Sequence, residues 1–258
     1  MKQKTKNNKI EHSQFYIKGQ DDFIAMLRDQ FREALSYNKP VLTSFLSLPE
    51  QSIVSQICPK DLFVSFNGGY GNAERKIACI TPMEELYDSD LVILEAVYNS
   101  SFRKIQHKDV LGTLMHLGLE REVIGDICIE EDRIVIFVKE QIADFIQMNC
   151  VQIARMHIQF ERVDFADVSG PQKEEIIINV SSLRMDAIVA SLSHCSRSEA
   201  NLKIKQGFVK LNDVILETNQ QLCNNDFVSI RRVGRFQYIG IVNTTKKERL
   251  MLKFEKYS

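Results

Sequence analysis

Between Arg184 and Arg235 the chain sets cationic side chains at the starts of two short helical segments, along the second of them and beside a strand end. Guanidinium and ammonium groups in that setting bind phosphate. The positive end of a helix favours an anion, and an arginine grips one through a two-pronged fork. Arg184 and Arg197 stand at the two helix starts and are expected to be the principal contacts, with Ser198 beside Arg197 and Lys203, Lys205 and Lys210 further along. The stretch Arg231-Arg232-Val-Gly-Arg235-Phe236 adds three guanidiniums around an aromatic that is expected to stack on a base. The competing reading pairs Arg184 with an acid, leaves Arg197 decorating a helix start, and makes 231–236 an exposed strand kept soluble by charge.

Other chemistries find less support. Six cysteines (Cys58, Cys79, Cys128, Cys150, Cys195 and Cys223) include no CxxC pair, and the five histidines include no HxxxH or HxH spacing, so no metal site is expected. No cofactor is expected either, because no segment follows a Walker A or GxGxxG pattern. The loop Asn67-Gly-Gly-Tyr-Gly-Asn72, with Arg75 and Lys76 after it, offers amides that an anion would accept. The plainer reading is a hairpin connection whose glycines supply positive φ angles. Isolated acids such as Glu74 and Asp109 read as surface residues.

The charge distribution supports an anionic partner for one end of the chain. Over 258 residues the net charge is −1. Residues 181–258 hold 13 Lys+Arg against 7 Asp+Glu, which leaves 20 against 27 for residues 1–180. A basic excess confined to one end hints at a polyanion-binding surface. At 44% hydrophobic and 26% charged residues the chain is expected to fold. Its longest apolar runs, Ile134–Val138 and Leu91–Leu94, fall far short of the roughly 20 residues a membrane helix needs. The lysine-bearing start, residues 1–9, leads into no apolar segment. A cytoplasmic protein with no membrane partner is therefore expected.

The elements that must position these residues read as an α+β chain. Phe23, Met26, Leu27, Phe31, Ala34 and Leu35 repeat at helical spacing. A short apolar run follows at 41–46, then a helix opened by Ser47-Leu-Pro-Glu50, then strands 62–66 and 76–81. This predicts an N-terminal α/β unit over residues 1–90. Residues 91–165 read as strand 91–98, helix 107–117, strand 126–129, strand 133–138, helix 141–148 and strand 155–162. That βαββαβ order is ferredoxin-like, the arrangement of RNA-recognition modules and of many unrelated domains.

An RNA-recognition module stacks bases on aromatics of its central strands. The third strand here, Arg133-Ile-Val-Ile-Phe137-Val-Lys139, has one aromatic and apolar residues on both faces, so the sheet is expected to be buried on both sides. The loop Ser100-Ser-Phe102-Arg103-Lys104, with His107 and Lys108 after it, remains a candidate for phosphate contact. A linker is expected over 166–180, where Gly170-Pro171 precedes a charge cluster. The C-terminal domain then spans 181–258. Its second helix opens on Ser196-Arg-Ser-Glu199, a capping box, and ends at Gly207; a hairpin at 208–216 and a strand at 226–231 follow.

Arg184, Asp186, Ser196, Arg197, Ala200, Gly207, Val209, Asn212 and Asp226 occur in the order of the RNA-binding domain named after ribosomal protein S-four, and this segment resembles that domain. The resemblance implies that both helices and the turn after them present Arg184, Arg197, Lys203, Lys205 and Lys210 to structured RNA. The stretches Lys39–Leu46, Gly68–Lys76 and His107–Gly112 are similar to those of bacterial YlmH-type proteins. That resemblance implies a ribosome-associated protein with ribosomal RNA, tRNA and the large subunit as partners. It further implies quality control of stalled nascent chains and a link to cell division. A non-catalytic RNA-binding protein is the leading expectation. The alternative is an RNA-modifying enzyme, of pseudouridine synthase or methyltransferase type, that uses the S-four domain to hold its substrate.

Overall fold

The apolar stripe near the start of the chain forms α1 (Asp21–Tyr37), which buries Leu27, Phe31 and Ala34. The computed structural model describes residues 21–84, 87–170, 173–212, 214–223, 226–245 and 248–257. Two units are formed by the described residues: 25–170, and 173–257 together with 21–24.

In the first unit β1 (Val41–Leu46) leads through α2 (Leu48–Ile57) to β2 (Phe63–Asn67) and β3 (Lys76–Thr81), with strand order β1-β3-β2. The Glu50 carboxylate accepts from the Ser47 amide at 2.6 Å, which closes the expected cap of α2. Next come β4 (Leu91–Val97), α3 (His107–His116), β5 (Ile124–Ile129), β6 (Arg133–Lys139), α4 (Glu140–Asn149), β7 (Gln152–Ile153), β8 (Met156–His157) and β9 (Glu161–Val163). Their main sheet is antiparallel in the order β5-β6-β4-β9. The single strand expected at 155–162 is instead a tight β7–β8 hairpin followed by three paired residues. Ala154 and Arg155 turn that hairpin with φ of 50° and 69°. Neither residue type advertises the left-handed conformation, so no turn signal was visible.

Strand β6 serves two cores. Ile134, Ile136 and Val138 pack with Val110 and Leu114 of α3 and Ala143 and Ile146 of α4. On the other face Val135 and Phe137 pack with Phe45 of β1, Ile77 of β3 and Ala166. The N-terminal strands thus cover the sheet, and residues 1–90 and 91–165, expected as separate domains, share one unit from Ala25 onward. Gly69 lies against this joint. Its φ is +90°, and a Cβ there would sit 2.4 Å from the Phe137 ring.

The second unit contains β10 (Lys173–Val180), α5 (Met185–Leu192), α6 (Arg197–Lys205), β11 (Val209–Leu211), β12 (Val214–Ile215), β13 (Phe227–Ile230), β14 (Gly234–Thr244) and β15 (Leu250–Tyr257). The sheet order is β10-β15-β14-β13-β11-β12. Residues 173–180, expected to be linker, are instead a strand paired along its full length with β15. Lys173, Glu174 and Glu175 face solvent on an outer strand, and that polarity mimics a linker. One face of the sheet packs Val228, Ile230, Phe236, Leu252 and Phe254 against Met185, Ile188, Leu192, Ala200 and Ile204. Among the described residues no helix is long and apolar enough to cross a membrane.

Candidate nucleic-acid interface

The starts of α5 and α6 meet over one carboxylate. Arg184 holds the N-cap position of α5 in an extended conformation, and Ser196 holds that of α6. Between them Asp186, in the first turn of α5, is 3% exposed. Its Oδ1 accepts from Arg184 Nε at 3.2 Å, and its Oδ2 accepts from Arg197 Nη2 at 2.7 Å. The Asp186 amide donates to the Asn219 side chain at 3.2 Å. Burial by itself would raise this carboxyl, yet Asn219 and the two guanidiniums outweigh burial and bring it down to about 2. The acid is therefore ionised at neutral pH and pins both arginines.

Pinning does not bury them. The side chains of Arg184 and Arg197 remain 55% and 52% exposed. Arg184 Nη1, and Arg197 Nε and Nη1, have no acceptor among the described residues. Two half-exposed guanidiniums are thus held on one carboxylate, and a guanidinium with unused N–H donors is suited to binding a phosphate. Arg184 is thus paired with an acid, as in the competing reading, while its guanidinium stays half-exposed. Ser196 accepts from the Glu199 amide at 3.2 Å while Glu199 accepts from the Ser196 amide at 2.8 Å, which holds the start of α6 in place. Ser198 is exposed in this first turn.

The other predicted residues lie elsewhere on the unit. Lys203 and Lys205 occupy the last turn of α6, roughly 9 and 12 Å along the axis from Arg197 for a rise of 1.5 Å per residue. Beyond that turn Arg231 stacks over the Phe208 ring at 5.1 Å, and Arg232 follows with φ of 65°. These four cations form a second cluster around the end of α6. Phe208, which organises it, carried no signal beyond following the helix-ending Gly207.

Lys210 and Arg235 do not join either cluster. Val209 and Leu211 face the helices, so the alternation of β11 turns Lys210 to the other face of the sheet. The register aligns Lys210 with Ser229 and Ser229 with Arg235, which places Arg235 on that face as well. Arg235 there covers the Phe227 ring at 4.8 Å. Phe236, expected to stack on a base, is 2% exposed and belongs to the core.

In the first unit the glycine loop is filled from within. Asp126 accepts from the Tyr70 hydroxyl at 2.7 Å and from the amides of Glu74 and Arg75 at 2.7 and 3.1 Å. Arg75 donates from its side chain to the carbonyls of Phe45 and Ile124 at 2.7 and 3.1 Å. The anion that these amides hold is a side chain of the protein.

Residues 82–167, which include β4 through β9, match the family model described as "Putative RNA-binding domain in YlmH". The chain is 32% identical over 250 residues to the ribosome-associated protein quality control protein P2 of Bacillus subtilis, covering 94% of this chain and 97% of that one. The chain belongs to the YlmH family. The solved cell division protein ylmH from Streptococcus pneumoniae superposes with a TM-score of 0.51 at 23% identity, over 58% of this chain and 94% of that chain, and so shares the fold. In this YlmH family member the segment matched as RNA-binding has its sheet covered on both faces, so a base cannot stack on β6.

Proposed function

We propose that this protein is a non-catalytic RNA-binding protein of the ribosome. In this reading it holds ribosomal RNA and tRNA on the large subunit and acts in quality control of stalled nascent chains. The observation that carries it is the Asp186 clamp, which holds Arg184 and Arg197 on one carboxylate, half-exposed, at two adjoining helix starts. The basic excess of residues 181–258 and the name of the Bacillus relative support it. Strand order supports reading 91–165 as a ferredoxin-like module, and the α5–α6 pair with its sheet supports reading the C-terminal unit as an S-four domain. A cytoplasmic location follows from that role, and the streptococcal relative's name is the support for a link to cell division.

A purely binding role also accounts for the acids that an enzyme would use. Asp109 accepts from the Gln106 amide at 3.0 Å, capping α3. Asp126 holds the glycine loop.

Co-sedimentation with purified large subunits tests the reading. Arg184→Gln and Arg197→Gln should each weaken it, because each leaves the other guanidinium on Asp186 and the unit folded. Unchanged co-sedimentation of both variants would overturn the site. Mass spectrometry of ribosomal RNA from a deletion strain tests the non-catalytic part, since one missing modification would identify an enzyme.

A further inference from the structure

With the sheet closed, RNA contact in the first unit has to come from its loops and helix faces, and one region is equipped for it. The β4–α3 loop is held at its base: the Ser100 amide donates to Asp132 at 3.0 Å and the Ser101 amide to the Asn99 side chain at 3.0 Å. At its tip Phe102 is 81% exposed, the most exposed of the large hydrophobic side chains among the described residues. Arg103 follows and reaches Asp109 of α3 at 3.6 Å, so the loop lies beside that helix. Lys104 and Lys108 are exposed and have no ion-pair partner among the described residues.

Alongside α3 runs a groove whose other wall is the β7–β8 hairpin, and Asp109, Gly112, His116 and Arg155 line it. Asp109 is already matched by Arg103 and by its own cap, so it adds little net negative charge there. Arg155 is exposed at the hairpin tip, without an ion-pair partner among the described residues, and both it and Ala154 hold the left-handed conformation that non-glycine residues avoid. Gly112 lies in the middle of α3, where glycine weakens a helix, and a Cβ there would meet nothing within 4 Å. No packing inside the unit explains that glycine. A backbone approaching from outside would.

We infer that the Phe102 loop, the outer face of α3 and the Arg155 turn form a second RNA-binding surface that takes unpaired nucleotides. Phe102 stacks on one base, Lys104, Lys108 and Arg155 neutralise flanking phosphates, and Gly112 admits the sugar-phosphate chain close to the helix. The inference rests on the RNA-binding reading above but uses none of the C-terminal residues.

The chain has no tryptophan, so Phe102→Trp in the full-length protein introduces a single indole at the tip. Titration with a 12-residue oligouridylate at low salt should quench its fluorescence, and added salt should reverse the quenching. In otherwise wild-type protein Phe102→Ala should weaken oligouridylate binding about ten-fold, in keeping with the loss of one base stack. Lys104→Ala and Arg155→Ala should each lower the salt slope by about 0.7. Gly112→Ala should raise the melting temperature and still weaken binding, a split that a structural glycine would not give.

Oligouridylate binding with an unresponsive indole, or undiminished affinity in Phe102→Ala, would overturn this surface. If instead Arg184→Gln and Arg197→Gln abolish oligouridylate binding while the Phe102 variants are neutral, this surface falls and the C-terminal site stands. If wild-type protein binds neither oligouridylate nor large subunits, the RNA reading fails as a whole. Phe102→Ala that disturbs only contact with isolated ribosomal proteins would mark a protein-docking surface and overturn the inference.

Discussion

Arg197 of α6 and Asp186 of α5 meet at 2.7 Å, and this contact ties together the starts of two helices that are consecutive in the chain. Asp186 is buried while Arg197 is half in water, so the pair joins a structural acid to a surface cation. The consequence for mutagenesis is asymmetric. Removing the surface partner changes what the unit presents, and removing both arginines strands a buried charge.

Arg184→Gln and Arg197→Gln should each reduce affinity for structured RNA by about 1.5 kcal/mol, the value of a charge-assisted hydrogen bond. The loss should be similar across RNA sequences, with the salt slope falling by roughly one per contact. The double change to Ala should also destabilise the C-terminal unit, by about 2 kcal/mol, since Asp186 would be left unpaired. Filter binding over a salt series and chemical denaturation measure the two effects separately.

The Asp186 clamp should give an acid-dependent stability. The carboxyl titrates near 2 in the folded protein, below its ordinary value of 3.8. The unfolded chain therefore takes up its proton first as pH falls. The stabilisation is complete above about pH 4 and disappears as pH drops through 2. Asp186→Asn should be less stable than wild type at pH 6, and the gap should close between pH 4 and pH 2. A gap independent of pH in denaturant melts would contradict the clamp.

Phe137 joins the N-terminal strands to the β5-β6-β4-β9 sheet, and Phe137→Ala should cost about 3–5 kcal/mol. Gly69→Ala should cost about 2 kcal/mol by pushing a Cβ into the same ring and straining a positive φ. Both losses should appear in urea unfolding of the full chain while association with RNA at the C-terminal site is retained.

Asp126→Ala should loosen the glycine loop, because the Tyr70 hydroxyl and two backbone amides lose their acceptor together. A loss of about 3 kcal/mol is expected for a buried carboxylate serving three donors. Faster hydrogen exchange at the Glu74 and Arg75 amides is the direct readout.

What could be read from the sequence was local. The Ser196–Glu199 capping box, the two-faced strand 133–138 and the helices at 107 and 141 carry their signal within a few residues, and the structure contains them. The strands β14 and β15 do not, because β15 takes its outer partner, β10, from far earlier in the chain and β14 runs on past its pairing with β13 as an 11-residue ribbon. Arg184 and Arg197 were legible as cations at helix starts, but their common partner depends on how α5 crosses α6. Lys210 is grouped with them by the S-four resemblance, and Arg235 by the charge of the stretch it lies in. Strand alternation, visible in Val209-Lys210-Leu211, already separated Lys210 from the helical face.

The double-sided packing of β6 also has a temporal side. Phe45 and Ile77 leave the synthesising ribosome well before Val135 and Phe137, the side chains that cover them, with Ile77 and Phe137 about 60 positions apart. At about 5–20 residues per second, the inner face of the first three strands stands without its cover for roughly 3–12 seconds. During that interval the nascent segment exposes a β surface prone to pairing with other chains. A protein that we place in the handling of incomplete chains thus passes, in its own synthesis, through a half-built state that only the later strands resolve.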